Sequence, residues 1–153
     1  MSRSVQRRAT TTHLTRLGEE RRYARFEEFL RGFVKELNDI SQEGGAVLVE
    51  GKRDVIALRA IGYAGPVLSV SILTASEAAR QRARDEVRKM VVLTDLDAEG
   101  RRLASRYVRF LNKEGIPASL AQRRRLSSAS RGAFLHIENL RRFAAGEKSA
   151  EFL

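Results

Sequence analysis

The sequence predicts an α/β domain in which helices cover both faces of a four-stranded parallel sheet, preceded by an N-terminal amphipathic helix. Three observations carry that prediction. Apolar runs at residues 46–49, 67–73 and 90–93 have the pattern of strands buried on both faces. Helix-length segments with apolar residues three or four apart lie between and after them. Strand and helix alternate four times in about 75 residues, the order that right-handed crossovers turn into a parallel sheet.

Taken in order, residues 1–16 read as a basic flexible arm carrying Arg3, Arg7, Arg8 and Arg16 and no acid. Residues 17–43 read as one helix, with Leu17, Tyr23, Phe26, Leu30, Phe33, Val34, Leu37 and Ile40 on its apolar side. The stripe Leu30, Phe33, Val34, Leu37 needs a partner, either the domain that follows or a second copy in a homodimer. Gly44 and Gly45 end the helix, and the main domain spans 45–140. Its first strand is 46–49. A helix at 54–61 stops at Gly62. Pro66 introduces the second strand, 67–73, and a polar helix follows at 75–88. The third strand is 90–93. A helix at 98–114, with Leu103, Tyr107, Phe110 and Leu111, closes at Gly115 and Pro117, and residues 117–120 form a weak fourth strand. A loop holding Arg123, Arg124 and Arg125 leads to a closing segment at 131–140, and 141–153 is a tail.

Composition narrows the chemistry. The 153 residues include no cysteine, which removes disulfides, thiolate metal sites and cysteine nucleophiles. Two histidines, His13 and His136, are too few for a multi-histidine zinc site. The net charge is +10, and 24 of the 29 cations are arginine, whose planar fork suits phosphate. The excess sits at the ends: residues 1–25 carry +5 and 121–153 carry +4, whereas 46–66 and 95–120 carry only +1 each. A polyanion that touches two basic flanks fits this distribution. No run approaches the roughly 20 apolar residues of a membrane span, and the N-terminal residues lack a secretory apolar stretch. The expected location is cytoplasmic.

In a parallel α/β sheet, ligands gather just past the carboxyl ends of the strands. Glu50-Gly51-Lys52 stands there after the first strand, and Thr94-Asp95-Leu96-Asp97 after the third. Topology thus brings Glu50, Asp95 and Asp97 toward one sheet edge. Carboxylates held together raise one another's pKa, and a divalent cation removes that cost. Oxygen ligands without His or Cys suit Mg²⁺, with Mn²⁺ as a substitute, and the natural chemistry of such an ion is phosphodiester cleavage. Asp97 reads equally as the N-cap of the following helix. A calcium loop starting at Asp95 fails, because its twelfth position is Arg106. A haloacid-dehalogenase phosphatase fails too, since 56 residues after Asp97 cannot hold the rest of that fold.

The stretch from Val49-Glu50-Gly51-Lys52-Arg53-Asp54 to Leu58, followed by Val91-Val92-Leu93-Thr94-Asp95-Leu96-Asp97, resembles the Toprim domain of topoisomerases, bacterial-type primases and related nucleases. The resemblance covers roughly residues 45–140. It looks closest to the stand-alone small Toprim proteins of archaea and bacteria and to the ribonuclease that matures 5S ribosomal RNA. It implies a Rossmann-like Toprim fold. It assigns Glu50 as general acid/base or metal ligand, and Asp95 and Asp97 as the Mg²⁺ pair. Gly51 and Gly100 match small residues near the site, and Lys52 and Asp54 match the Glu-Gly-Lys-x-Asp form. His136 and Glu138 resemble the pair that closes the domain in the maturase branch, and each reads equally as a structural residue.

Tyr23, Tyr63 and Tyr107 fall in helical or core contexts, so topoisomerase chemistry is not expected. The expectation is a Mg²⁺-dependent nuclease of structured RNA in preference to DNA, with ribosomal RNA among the candidate substrates. Arg7, Arg8 and Arg123–Arg125 would hold its backbone, and ribosomal proteins or the ribosome are candidate partners. The rival is a non-catalytic Toprim module that binds RNA, DNA or a ribosomal or DNA-processing complex.

Overall fold

The structure is a computed structural model that describes the backbone of residues 2–144 and the side chains of residues 14–144. Helix α1, Ser2–Gln42, is continuous. The expected boundary between a flexible arm at 1–16 and a helix from 17 is therefore corrected: residues 2–16 share the same helix. No proline interrupts them, and Arg, Ala and Gln favour helix. The side chains of Arg7 and Arg8 lie outside the described residues, as do residues 145–153 of the expected tail. The chain divides into two compact units, Met1–Gly32 and Phe33–Leu153. Within the first, the Phe26 and Phe29 rings lie 6.0 Å apart between centroids.

The second unit contains the sheet, with strands β1 (Gly45–Val49), β2 (Val67–Ser69), β3 (Lys89–Val92) and β4 (Ala118–Ser119). Their order is β2-β1-β3-β4 and every pairing is parallel. Every residue of β1 is buried, as the continuous apolar run requires. Ala46, Leu48, Met90 and Val92 share one core cluster with Leu73, Ala83, Ala104 and Leu111 from the helices on that face. Val47, Val49 and Val91 alternate to the other face and are equally buried. Phe33, Val34 and Leu37, three of the four stripe residues of α1, are buried in this same unit. These three residues thus have their partner within this unit.

Helix α2 (Lys52–Ala60) ends where expected, with Gly62 at φ 105°, a conformation that only glycine adopts without strain. Two elements differ from expectation. The second strand stops at Ser69, and Val70–Ala75 forms helix α3. β2 is an edge strand, so no outer neighbour holds residues 70–73 extended. The Thr74 hydroxyl donates to the Val70 carbonyl at 2.8 Å and tightens the turn. Helices α4 (Glu77–Glu86) and α5 (Ala98–Lys113) follow, capped by the Ser76 and Asp97 side chains.

The second difference concerns the arginine run. Residues 123–125 are not in a loop but in helix α6, Ala121–Ser130, which ends at Arg131 in the left-handed region, φ 50°. A 3-10 helix, Ile137–Phe143, then closes the domain.

Candidate metal and nucleic-acid site

The two strands that carry the acids are direct neighbours. Leu48 of β1 is paired with Val92 of β3, and the Leu93 N–H donates to the Leu48 carbonyl at 2.9 Å. Glu50 and Asp95 therefore leave the sheet side by side at its carboxyl edge. The order β2-β1-β3-β4 also makes the β1/β3 junction the point where the chain reverses its direction of sheet growth. That is the crevice where open α/β sheets place their ligands.

Glu50 is the electrostatic centre of this edge. Burial pushes its carboxyl above the ordinary glutamate value, and the charges of Asp95 and Asp54 add to the shift, with a smaller push from Asp97. The Asp95 backbone N–H pulls the other way. Among the described residues, one buried side-chain oxygen lacks any hydrogen-bond partner, and it is Glu50 Oε1. A buried carboxylate oxygen without a donor is costly. Asp54 joins the same group: it is 8% exposed, accepts the Gly51 N–H at 3.2 Å, and is raised first by burial.

Asp95 is held from a distant part of the chain. Its Oδ1 accepts the Ile137 N–H at 2.8 Å and its Oδ2 lies 3.2 Å from His136 Nδ1. That bond raises the pKa of His136. The Leu96 N–H donates to the Leu135 carbonyl at 2.6 Å, so residues 135–137 lie along the Asp-x-Asp turn. Asp97 Oδ1 accepts the Gly100 N–H at 2.7 Å, which makes Asp97 a helix cap as well as a site acid. A Cβ on Gly100 would lie 1.8 Å from the Asp95 carbonyl oxygen, so only glycine lets α5 start this close to the turn. At Gly51 a Cβ would meet nothing within 4 Å, so space is open beside the Glu50 turn.

The structure thus brings Glu50, Asp54, Asp95, Asp97 and His136 to one edge. Glu138, in the 3-10 helix, touches it through the Asp54 field and lies 3.9 Å from Arg53, a loose contact between exposed side chains. Lys52 is exposed at the first position of α2. Among the described residues, no three His, Asp or Glu side chains converge into a ready-made metal cage. Mg²⁺ does not need one, because it keeps waters and takes one or two carboxylates together with substrate phosphate. The donor set, all oxygen and mutually repelling around an orphaned buried atom, fits such an ion.

The basic residues separate by role. Arg123, expected on the nucleic acid, is 7% exposed and serves the turn instead. Its Nε donates to Thr94 Oγ1 at 3.0 Å and its terminal nitrogen to the Asp95 carbonyl at 2.6 Å. Thr94 in turn donates to the Gly100 carbonyl at 2.7 Å. Arg125 pairs with Glu36. Of the three, only Arg124 is exposed with no side-chain partner among the described residues. Sequence reasoning missed the brace formed by Arg123 and the backbone donor at Ile137. Three consecutive arginines read as a phosphate-binding loop, and an amide donor leaves no trace in a side-chain pattern. Tyr63 is a core residue, with its pKa pushed up to about 12 by burial and its hydroxyl donating to the Pro66 carbonyl at 2.9 Å.

Comparison with known proteins agrees with this geometry. A family model described as Toprim domain matches residues 44–122, a span that includes Glu50, Asp54, Asp95 and Asp97 but not His136 or Glu138. A UPF0292 protein of Archaeoglobus fulgidus is 32% identical over 110 residues, covering 72% of this chain and 85% of that protein. Its counterpart in Methanocaldococcus jannaschii is 30% identical over 120 residues, covering 78% and 92%. A solved structure of an Aquifex aeolicus protein, 24% identical, superposes with a TM-score of 0.55 over 71% of this chain and 95% of that one. These relatives carry no maturase name, so kinship with the 5S ribosomal RNA maturase rests on the residue resemblance alone. Among the described residues, no helix is long and apolar enough to cross a membrane.

Proposed function

The chain belongs to the Toprim domain family, and from that premise we propose that it is a Mg²⁺-dependent phosphodiesterase that cuts structured RNA in the cytoplasm, with ribosomal RNA as the leading substrate class. Membership alone gives the coarser statement: metal-dependent handling of nucleic acid. The finer reading rests on one observation, the buried and unpartnered Oε1 of Glu50 beside the charges of Asp95, Asp54 and Asp97.

Asp95 and Asp97 would hold the ion, with Mn²⁺ as a substitute and with Glu50 as a further ligand only when it carries no proton. When bound, a divalent cation polarises a phosphoryl oxygen and lowers the pKa of water. The chain's own residues supply the rest. Glu50 holds a proton more readily than an ordinary glutamate, and at Oε1 it can give or take one during cleavage. Asp95 is kept in one orientation by the Ile137 N–H and His136. Arg123 fixes the backbone of the turn on which both aspartates stand. Lys52, exposed at the start of α2, would neutralise a substrate phosphate.

The test is incubation of the purified protein with structured RNA and duplex DNA in Mg²⁺, beside Glu50→Gln and Asp95→Asn. Cleavage lost in both variants supports the reading. If wild type cuts neither substrate and Asp95→Asn leaves Mn²⁺ affinity unchanged, the reading is abandoned.

A second reading, a Toprim module that binds RNA, DNA or a ribosomal complex without cutting, is favoured by one observation. Asp95 and Asp97 already hold backbone N–H groups. Retained Mn²⁺ binding and RNA binding with no cleavage of any substrate would support it.

A further inference from the structure

Helices α5 and α6 run beside the acid edge and leave a groove of about 510 Å³ between them. Arg101 and Ser105 line it from α5, and Arg124 and Ser128 from α6. Each pair is four residues apart, so each helix presents an arginine and a serine on one face. All four side chains are exposed, and none has a hydrogen bond or ion pair among the described residues. Among the described residues, no carboxylate lines the groove. Arg123 forms part of its floor and also donates to the Asp95 carbonyl, so the groove opens against the turn that carries the acids.

From this arrangement we infer that the groove between α5 and α6 is a track for the phosphodiester backbone of a nucleic acid, with Arg101 and Arg124 holding phosphates and Ser105 and Ser128 donating to them. The inference rests on the nucleic-acid reading above and adds where the strand lies on the protein. Unpaired guanidinium groups flanked by hydroxyl donors are the chemistry of phosphate binding. Burial, and after it the charge of Arg101, holds the pKa of Arg123 down. An anion arriving between these guanidinium groups relieves their repulsion. Among the described residues, no aromatic side chain lines the groove, so recognition is of the backbone and tolerant of sequence. A larger cavity of about 740 Å³ near the starts of β1 and β2 does not compete for this role. Its arginines are engaged, Arg59 with the Tyr63 and Gly65 carbonyls and Arg82 with Glu86, and its walls include Pro66, Val67, Leu68 and Ile72.

The test is fluorescence anisotropy of a labelled RNA hairpin and the matching DNA duplex with the full chain in EDTA, which silences cleavage. The Arg101→Glu/Arg124→Glu double variant should bind both probes at least tenfold more weakly. The milder Arg101→Ala/Arg124→Ala should lower the slope of log K against log salt by about 2 on the duplex. Arg82→Glu, away from the groove, should bind as wild type, and melting curves should show all variants folded. Unchanged affinity in the double variants, or no binding by wild type at low salt, overturns the proposal. So does a polyglutamate peptide that binds as tightly as RNA through the same arginines, which would assign the groove to an acidic protein. Because Glu50→Gln keeps the groove, a chain that binds through Arg101 and Arg124 but never cuts sinks the catalytic reading and leaves this one standing.

Discussion

On α4, Arg80, Arg82 and Arg84 are each tied to an acid: Arg80 and Arg84 to Glu77 at 2.9 and 2.6 Å, Arg84 also to Glu114 at 2.5 Å, and Arg82 to Glu86 at 3.5 Å. Arg80 further donates to the carbonyls of Leu73 and Thr74, joining α4 to α3. In the groove between α5 and α6, Arg101 and Arg124 have no such partners among the described residues. The two regions are built from the same residue type, yet one uses its charge to fasten helices and the other leaves it for an incoming anion. A net charge of +10 therefore says little about where a polyanion binds. The pairing state of each arginine says more.

The comparison can be broken by substitutions on either side. The largest effect is expected at Gly100, where a Cβ would collide with the Asp95 backbone. Gly100→Ala should destabilise by more than about 3 kcal/mol, read by urea unfolding, and a variant as stable as wild type would refute the close packing of α5 on the turn. Next is Arg123→Ala, which strips the buried Thr94 carbonyl and the part-buried Asp95 carbonyl of a donor and should destabilise by about 2–4 kcal/mol. Arg123→Lys should recover only part of this, because an ammonium lacks the fork.

Glu50→Gln should act in the opposite direction on stability. The folded Glu50 carboxyl has a raised pKa, so in EDTA the folded state keeps that proton to higher pH than the unfolded chain. Its contribution is fully present below the unfolded glutamate value and is lost as pH rises through the folded one. Wild type should therefore lose melting temperature across that range relative to Glu50→Gln, and Glu50→Gln should melt higher at neutral pH. Added Mn²⁺ should raise the melting point of wild type more than that of the variant. Parallel melting curves from acid to neutral pH would remove the electrostatic argument for Glu50. The smallest effect belongs to α4. Arg82→Ala should change stability by no more than about 0.5 kcal/mol and leave RNA affinity untouched in the anisotropy assay.

The two regions also differ in how far the sequence revealed them. β1 and β3 were readable because strands buried on both faces are written as unbroken apolar runs. The acids were readable because topology alone sends residues after β1 and β3 to one edge. Helix α3 was not, since Val70, Ile72 and Leu73 read as strand and only the missing outer neighbour of β2 decides otherwise. Helix α6 was hidden for a different reason. Its buried positions are Gln122, Arg123, Leu126 and Ser130, so the face turned inward is mostly polar and shows no apolar period. The groove went unseen with it. Arg101 and Arg124 belong to helices whose mutual placement no local pattern encodes.

The hydrogen bond from the Ile137 N–H to Asp95 Oδ1 has a practical consequence. An amide proton aimed at a carboxylate reports the charge on that carboxylate through its chemical shift. One peak in a nitrogen–proton correlation spectrum should therefore move when Asp95 gains a proton or a cation. It needs no attached dye and no substrate, and it reads the acid edge directly in a chain with no cysteine to label and no tryptophan to excite.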